Sequence, residues 1–286
     1  MRTMTLPFIL TALWLSAMVG TVGSAQPLTD SPQAQALVDQ ALGIWADTRT
    51  QPVGDRALQA KALLEQVVAN YAATNQAAAA LRHLAYGHAR KGLKDQAQAY
   101  WDRLFQEYPT SQERGHAWMD QARLLADQRQ HEKALPLLEN VLNEFPKTEL
   151  EPEALFLKGD YLWVLDRPKE ALAPLERLVA DYGETKIALR AHYVLGYIKA
   201  IQVVDASGAM AHLVIVIANE DIDPERVAWS LFLMAECNAR LWNHAAAMAQ
   251  CEDVINNFSQ CRQPVISAQA LLKWVRWQVG AVKGAK

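Results

Sequence analysis

Seven histidines stand at positions 83, 88, 116, 131, 192, 212 and 244, and they show no spacing of the kind that a histidine metal site uses. The closest pair, His83 and His88, are five residues apart, which sets them about 140° from each other on a helix. The three cysteines, Cys237, Cys251 and Cys261, all fall near the C-terminus. In an oxidising compartment one disulfide is allowed, and each of the three pairings leaves a thiol free. Cys251 stands at an apolar position of a helical pattern and reads equally well as a buried thiol. If a bridge forms, Cys251 with Cys261 is the expected pair, because Cys261 follows a helix end and can fold back. A glycine-rich phosphate loop, a GxSxG elbow, HExxH and CxxC are missing from the sequence. Carboxylates are plentiful, but they lie as a solvated helical face would. No catalytic residue, metal site or cofactor is expected.

Composition narrows the field further. The chain has 286 residues, 51% of them hydrophobic, and a formal charge of −3. Mild acidity with mixed charges gives no footing for nucleic acid, which wants a basic face. Arg2 precedes an apolar run from Leu6 to Val19, and Gly23 and Ala25 supply small side chains before Gln26. Residues 1–25 are therefore expected to be a cleaved signal peptide, and the mature chain to be periplasmic. No cysteine follows the apolar run, so nothing there supports a lipid anchor. No other stretch is long and apolar enough to cross a bilayer.

The elements that would position any site come from a pattern that recurs every 37 residues. Ala60, Ala97, Ala134 and Ala171 form one column, and Leu64, Trp101, Leu138 and Leu175 a second. Val67, Leu104, Val141 and Leu178 form a third, and a ring closes each copy at Tyr71, Tyr108, Phe145 and Tyr182. A hydroxyl follows three residues later, at Thr74, Ser111, Thr148 and Thr185. Between Ala134 and Phe145 the apolar residues fall at helical spacing, so this segment is the second helix of a hairpin whose first helix includes Trp118 to Leu125. A period of this length marks a solenoid, in which a unit too small to bury its own face stacks on its neighbours. The alanine column would face Ala85, Ala122, Gly159 and Gly196, letting two backbones approach closely.

Hairpins are expected at roughly 30–74, 75–111, 112–148, 149–185, 186–221 and 223–260, with a capping helix at 265–282. Ser31 and Pro32 read as an N-cap and first helical position, and Thr48 to Arg56 as a loop. The copy after Gly183 puts Gly208 where alanine belongs. It also holds the run Leu213 to Ile217, expected as a fully buried helix, with an exposed strand edge as the alternative.

The spacing of small residue, alanine, large apolar residue and proline is similar to the tetratricopeptide repeat. In one copy these are Ala122, Ala134 and Pro146, and in another Ala85, Ala97 and Pro109. The longer period and the closing Glu-Tyr-Pro or Glu-Phe-Pro resemble repeats of Gram-negative envelope proteins, of the kind in the periplasmic partner of the Tol–Pal system and the outer-membrane assembly lipoprotein. The resemblance implies an all-α fold, a right-handed α-α superhelix of about six hairpins, forming a single solenoid domain over 26–286.

It also implies a concave groove lined by the first helix of each hairpin. Carried over residue by residue, the groove positions are Arg82, Tyr86 and Arg90, then His116, Met119 and Arg123, then Phe156, Asp160 and Trp163, then Arg190, Tyr193 and Tyr197. Trp229, Phe232 and Arg240 follow by the same count. Aromatics and arginines dominate interface energetics, so the expectation is a non-enzymatic scaffold. It would bind a protein or peptide partner of the cell envelope, with Arg82, Arg90, Arg123 and Arg190 gripping its carboxylates or carbonyls. Two other readings stay open: a part in peptidoglycan metabolism, against which stands the lack of a Glu-Ser pair, and a self-associating structural element.

Overall fold

The structure is a computed structural model that describes residues 28–46, 53–219 and 222–284. The expected signal peptide, 1–25, and most of the expected loop at Thr48 to Arg56 lie outside the described residues. Thirteen α-helices are present among those described: α1 Pro32–Ala46, α2 Val53–Asn70, α3 Asn75–Arg90, α4 Lys94–Glu107, α5 Glu113–Asp127, α6 His131–Glu144, α7 Glu151–Val164, α8 Pro168–Asp181, α9 Lys186–Tyr197, α10 Ala206–Ile217, α11 Pro224–Arg240, α12 His244–Asn257 and α13 Arg262–Gly284. The fold is all-α, a solenoid of helix hairpins. Contacts divide it into two compact units: one runs to Leu81 and includes Tyr108–Ser111, the other comprises Arg82–Glu107 and Gln112–Lys286.

In the first unit α1 packs on α2, with Ala34, Val38 and Ala41 of α1 and Ala57, Ala60 and Leu64 of α2 buried. The Ser31 hydroxyl accepts from the Ala34 N–H at 3.3 Å, so it caps α1 as its position predicts. Val53 to Arg56, expected as loop, form the first turn of α2. Thr29 pairs with Thr74 in an isolated bridge, and the Tyr108 hydroxyl donates to the Ala72 carbonyl at 2.6 Å.

The second unit shows why the columns exist. Ala97, Ala134 and Ala171 are fully buried, as are Leu104, Val141 and Leu178. A Cβ added at Gly159 would come within 2.4 Å of Leu175 Cγ, and one at Gly196 within 2.5 Å of Leu213 Cδ2. The smallest side chain on a first helix thus seats the largest on the second. The hydroxyl column has a separate task, seen in both units: Thr74, Thr148 and Thr185 donate to the carbonyl of the ring residue three before, at 2.6, 2.8 and 2.7 Å. Thr74 and Thr185 also accept from the third N–H beyond, closing one helix while capping the next.

A further column lies in the turns. Gly92, Arg129, Asp166, Val204 and Trp242 all have positive φ, between 57° and 76°. At four of them the next residue's N–H reaches back five positions: Leu93 to His88, Gln130 to Leu125, Arg167 to Leu162 and Asn243 to Asn238, at 2.8 to 3.0 Å. This closure favours glycine at the left-handed position, yet just Gly92 supplies it. The remaining turn, at Val204, is one residue wider. There α9 continues into a π-helical segment, Ile198–Gln202, and Asp205 N–H reaches back six residues to Lys199. The extra residue moves the alanine column from Gly208, where it was expected, to the fully buried Ala209. Gly208 instead donates its N–H to the Asp205 carboxylate, which caps α10. The Ala200 carbonyl of the π segment accepts from the Arg240 guanidinium.

Three other expectations change. The run Leu213 to Ile217 is helical but not fully buried: Leu213 and Val216 face the core, while Val214 is 51% exposed. All three thiols are free and buried, so the Cys251–Cys261 bridge is not formed. Cys251 and Cys261 instead join an apolar cluster with Val254, Ala268 and Leu272. Burial pushes the thiols of Cys237 and Cys251 up to about 11, which makes them poor nucleophiles. The capping helix is longer than expected and begins at Arg262.

Glu151 is the one carboxylate with no exposed surface among the described residues. Burial pushes its pKa up, but the Tyr182 hydroxyl and the Lys147 N–H, each at 2.5 Å, together with Arg177, outweigh burial and hold it below the usual range. Glu151→Ala should cost about 1–3 kcal/mol in urea unfolding, because it removes three hydrogen bonds to part-buried donors and leaves a cavity. The exposed neighbour Glu149→Ala should stay within about 0.5 kcal/mol. Val204→Gly should stabilise by about 0.5–1 kcal/mol, relieving a β-branched residue at φ 61°.

Two half-buried histidines set a pH limit. His212 packs on His192 with the two Nδ1 atoms 2.9 Å apart, and burial, with Lys199 and His192 adding, lowers its pKa to about 4. His83 falls to about 3 through burial, Arg82 and His116. Both stay neutral when folded, whereas the unfolded chain takes up protons below about pH 6.5. Stability is therefore complete above that pH and declines as pH falls. Between about pH 6.5 and 5 the slope should approach 1.4 kcal/mol per unit for each such histidine. Chemical denaturation across that window checks this, and His83→Asn should flatten the slope.

Candidate functional site

The first helices of successive hairpins, α3, α5, α7, α9 and α11, meet one another through their side chains, and the expected partner-binding residues lie along this row. The structure separates them into two groups. Across α3, α5 and α7 the charges neutralise one another. Arg82 donates to Glu113 at 2.6 Å and to Asp120 at 2.8 Å. Arg123 donates to Asp120 at 3.3 Å and also to Glu153. The expectation that Arg82 and Arg123 are available to grip a ligand is thus corrected: each already holds two carboxylates of its own chain. Arg90, at the end of α3, is exposed, and Tyr86 and His116 are half-buried. Met119 is buried, with 2% of its surface exposed, and belongs to the core rather than to a groove lining.

Across α7, α9 and α11 the row is aromatic. The Arg190 guanidinium lies 4.3 Å from the centre of the Phe156 ring, and Phe156 beneath it is 4% exposed. Phe156 is therefore the floor of the site and not a contact surface. Trp163 and Tyr197 pair with ring centres 5.3 Å apart, and Trp229 and Phe232 pair edge to face at 5.7 Å; all four are half-buried, as is Tyr193. Burial raises the Tyr193 pKa, with Arg226 of α11 working against it. Asp160 is also raised by burial, with Arg190 and His131 opposing. Arg240, expected in the row, is turned to the Ala200 carbonyl.

Sequence reasoning missed the carboxylates that occupy the arginines, and also Tyr161, whose hydroxyl burial pushes up to about 12 and whose ring lies 5.1 Å from His131. A signal for the first omission existed. Arg123 meets Glu153 thirty residues on, and Asp160 feels Arg190 at the same separation in the next copy. Once the period is known, that offset pairs one copy's outward position with the next copy's.

The arrangement offers flat aromatic surface, one exposed guanidinium and one half-buried carboxyl. It has the makings of a recognition surface and lacks a nucleophile held by a base. Among the described residues no group of three or more His, Cys, Asp or Glu side chains could hold a metal ion. No described helix is long and apolar enough to cross a membrane.

The tetratricopeptide repeat model matches residues 79–111 and 116–148, ending on the same residues as two of the copies read from the period. A tetratricopeptide repeat protein from Parabacteroides merdae ATCC 43184 is similar in structure, with 13% identity over 86% of this chain and 100% of that one and a TM-score of 0.48. The P58(IPK) TPR domain is similar with 16% identity over 85% of this chain and 66% of that one, at a TM-score of 0.34. No curated protein matches. Residues 79–111 and 116–148 are thus similar to tetratricopeptide repeats, and they lie in phase with the helix hairpins that follow them.

Proposed function

We propose that this protein is a non-enzymatic periplasmic adaptor that holds a segment of an envelope protein against the aromatic row of α7, α9 and α11. Export rests on the pattern of residues 1–25: a basic residue, an apolar run and small side chains before Gln26. The observation that carries the binding site is the division of the row. On α3 and α5 Arg82 and Arg123 are spent internally, and the half-exposed pairs Trp163–Tyr197 and Trp229–Phe232 offer the larger unfilled contact area. Rigid aromatic side chains lose little entropy on contact and commonly dominate interface energy. Arg190 and Asp160, set among them, add one charge of each sign and so favour a partner segment carrying both.

A photo-crosslinking residue placed at Tyr193 should capture a discrete periplasmic partner, and the same residue at Gln98, exposed on α4, should not. The double change Trp163→Ala with Tyr197→Ala should reduce capture at least about tenfold while leaving the circular dichroism spectrum unchanged. Equal capture from both positions, or full capture by the double variant, would overturn the site. Phe156 is unsuitable as a probe, since its truncation should cost about 3–5 kcal/mol of stability.

A further inference from the structure

The last helix ends the second unit, and the end of a repeat stack ordinarily presents a polar face to water. The inner side of α13 does what an end helix should: Ala268, Leu272 and Val275 are buried, the first two against α11 and α12 residues such as Ala235, Cys251 and Val254, and Val275 with Ala239 and Ala247. Its outer side mixes exposed polar residues with large apolar ones. Ile266 is 48% exposed, Trp274 45% and Trp277 65%, and these positions form one stripe on a 3.6-residue helix, about 16 Å long. The second half of α13 lies beside the turn between α11 and α12, because Val275 and Val279 pack with Ala239 and Ala247, which flank it. In that turn Leu241 is 51% exposed and Trp242 is 73% exposed.

Trp242 also has φ 61°, a conformation that glycine adopts without strain at the matching Gly92. Its ring meets His244 edge to face at 5.7 Å and otherwise projects outward. Arg129, Asp166 and Val204 share that conformation at the equivalent turns, so what sets Trp242 apart is its large exposed apolar ring.

Charge decides what that contact is. Residues 262–284 contain Arg262, Lys273, Arg276 and Lys283 and no Asp or Glu, in a chain whose net charge is −3. Arg276 pairs with Glu252 of α12, while Lys273 sits within the outer stripe. A second copy docking α13 on α13 would set these like charges against each other. An anionic bilayer surface complements them, and tryptophans flanked by lysine and arginine suit the headgroup level, where one end of the ring is apolar and the other wet. We infer that the outer face of α13, with the neighbouring Trp242 turn, docks the protein onto an anionic phospholipid surface, lying on it without crossing it. This site is separate from the aromatic row of α7 to α11 and does not depend on it.

The test uses the full mature chain with vesicles of phosphatidylcholine alone or of equimolar phosphatidylcholine and phosphatidylglycerol. Cosedimentation and a blue shift of tryptophan emission are expected with the anionic vesicles alone, lost at about 0.5 M salt. Trp274→Ala with Trp277→Ala should weaken binding at least about tenfold with the circular dichroism spectrum unchanged, since both rings are exposed. Lys273→Glu with Arg276→Glu should abolish the preference for anionic vesicles. Absence of binding to the anionic vesicles, or equal binding by the tryptophan variant, would overturn the proposal. So would a molecular mass that rises with concentration in light scattering and returns to monomer in the tryptophan variant, since a second copy would then cover the face.

Discussion

The second unit depends on one steric constraint: where two helices of a hairpin cross, a side chain no larger than alanine must meet a large apolar one. Gly159 against Leu175 and Gly196 against Leu213 leave no room for a Cβ, and the fully buried Ala122 occupies the corresponding column against Leu138. Close crossing brings many side-chain atoms within van der Waals range, and dispersion and burial then favour stacking over separate hairpins. Each hairpin exposes what it cannot cover, so the next must cover it. The consequence reaches the surface: the first helices α5, α7, α9 and α11 bury more residues than the second helices α6, α8, α10 and α12, so only a narrow strip of each first helix stays open to solvent.

That division explains what could be read from the sequence. Buried columns repeat because each copy meets the same neighbour, and repetition is visible without coordinates. The hairpins, their phase and their helical class were legible for that reason. The turn at Val204 was not, because a π insertion adds a residue without adding a recognisable one. Its trace is the sixteen-residue separation of Gly159 and Leu175 becoming seventeen between Gly196 and Leu213. Likewise Arg129, Asp166 and Trp242 occupy a backbone conformation usually announced by glycine, so the turn column could be anticipated only at Gly92. The cysteines were ambiguous on physical grounds: Cys251 lies in a core column, and a core position argues for a thiol as strongly as proximity argues for a bridge.

The candidate site was legible as a row and misread in its chemistry. Reading outward positions gives residue types but not their partners, and Arg82, taken alone, looks like a grip for a ligand. Its carboxylates stand thirty-one and thirty-eight residues away, at Glu113 and Asp120, on a helix of the next copy. Pairing between copies thus converts a positive strip into a nearly neutral one. An arginine holding two carboxylates in a partly buried setting would lose both bonds in turning to a ligand, and that exchange yields little net gain. Aromatic side chains have no such prior commitment. Trp163 and Tyr197 touch each other, yet each keeps surface exposed.

The same reasoning distinguishes the two surfaces now assigned. A solenoid interior position is judged against its counterparts in other copies, so an aromatic there has a reference: Tyr197, Asp160, Arg123 and Tyr86 occupy one column and differ, as positions freed from packing do. The outer face of α13 meets no further copy among the described residues. If water were its neighbour, the residues facing outward would be under no pressure to be large and apolar, and a group of exposed tryptophans would gain nothing from burial. Trp277 and Trp242 are therefore more economically explained by a neighbour than by the fold. Because the helix that carries Trp277 has no acidic residue, the neighbour proposed for it is one that supplies negative charge across a broad surface rather than at a single point.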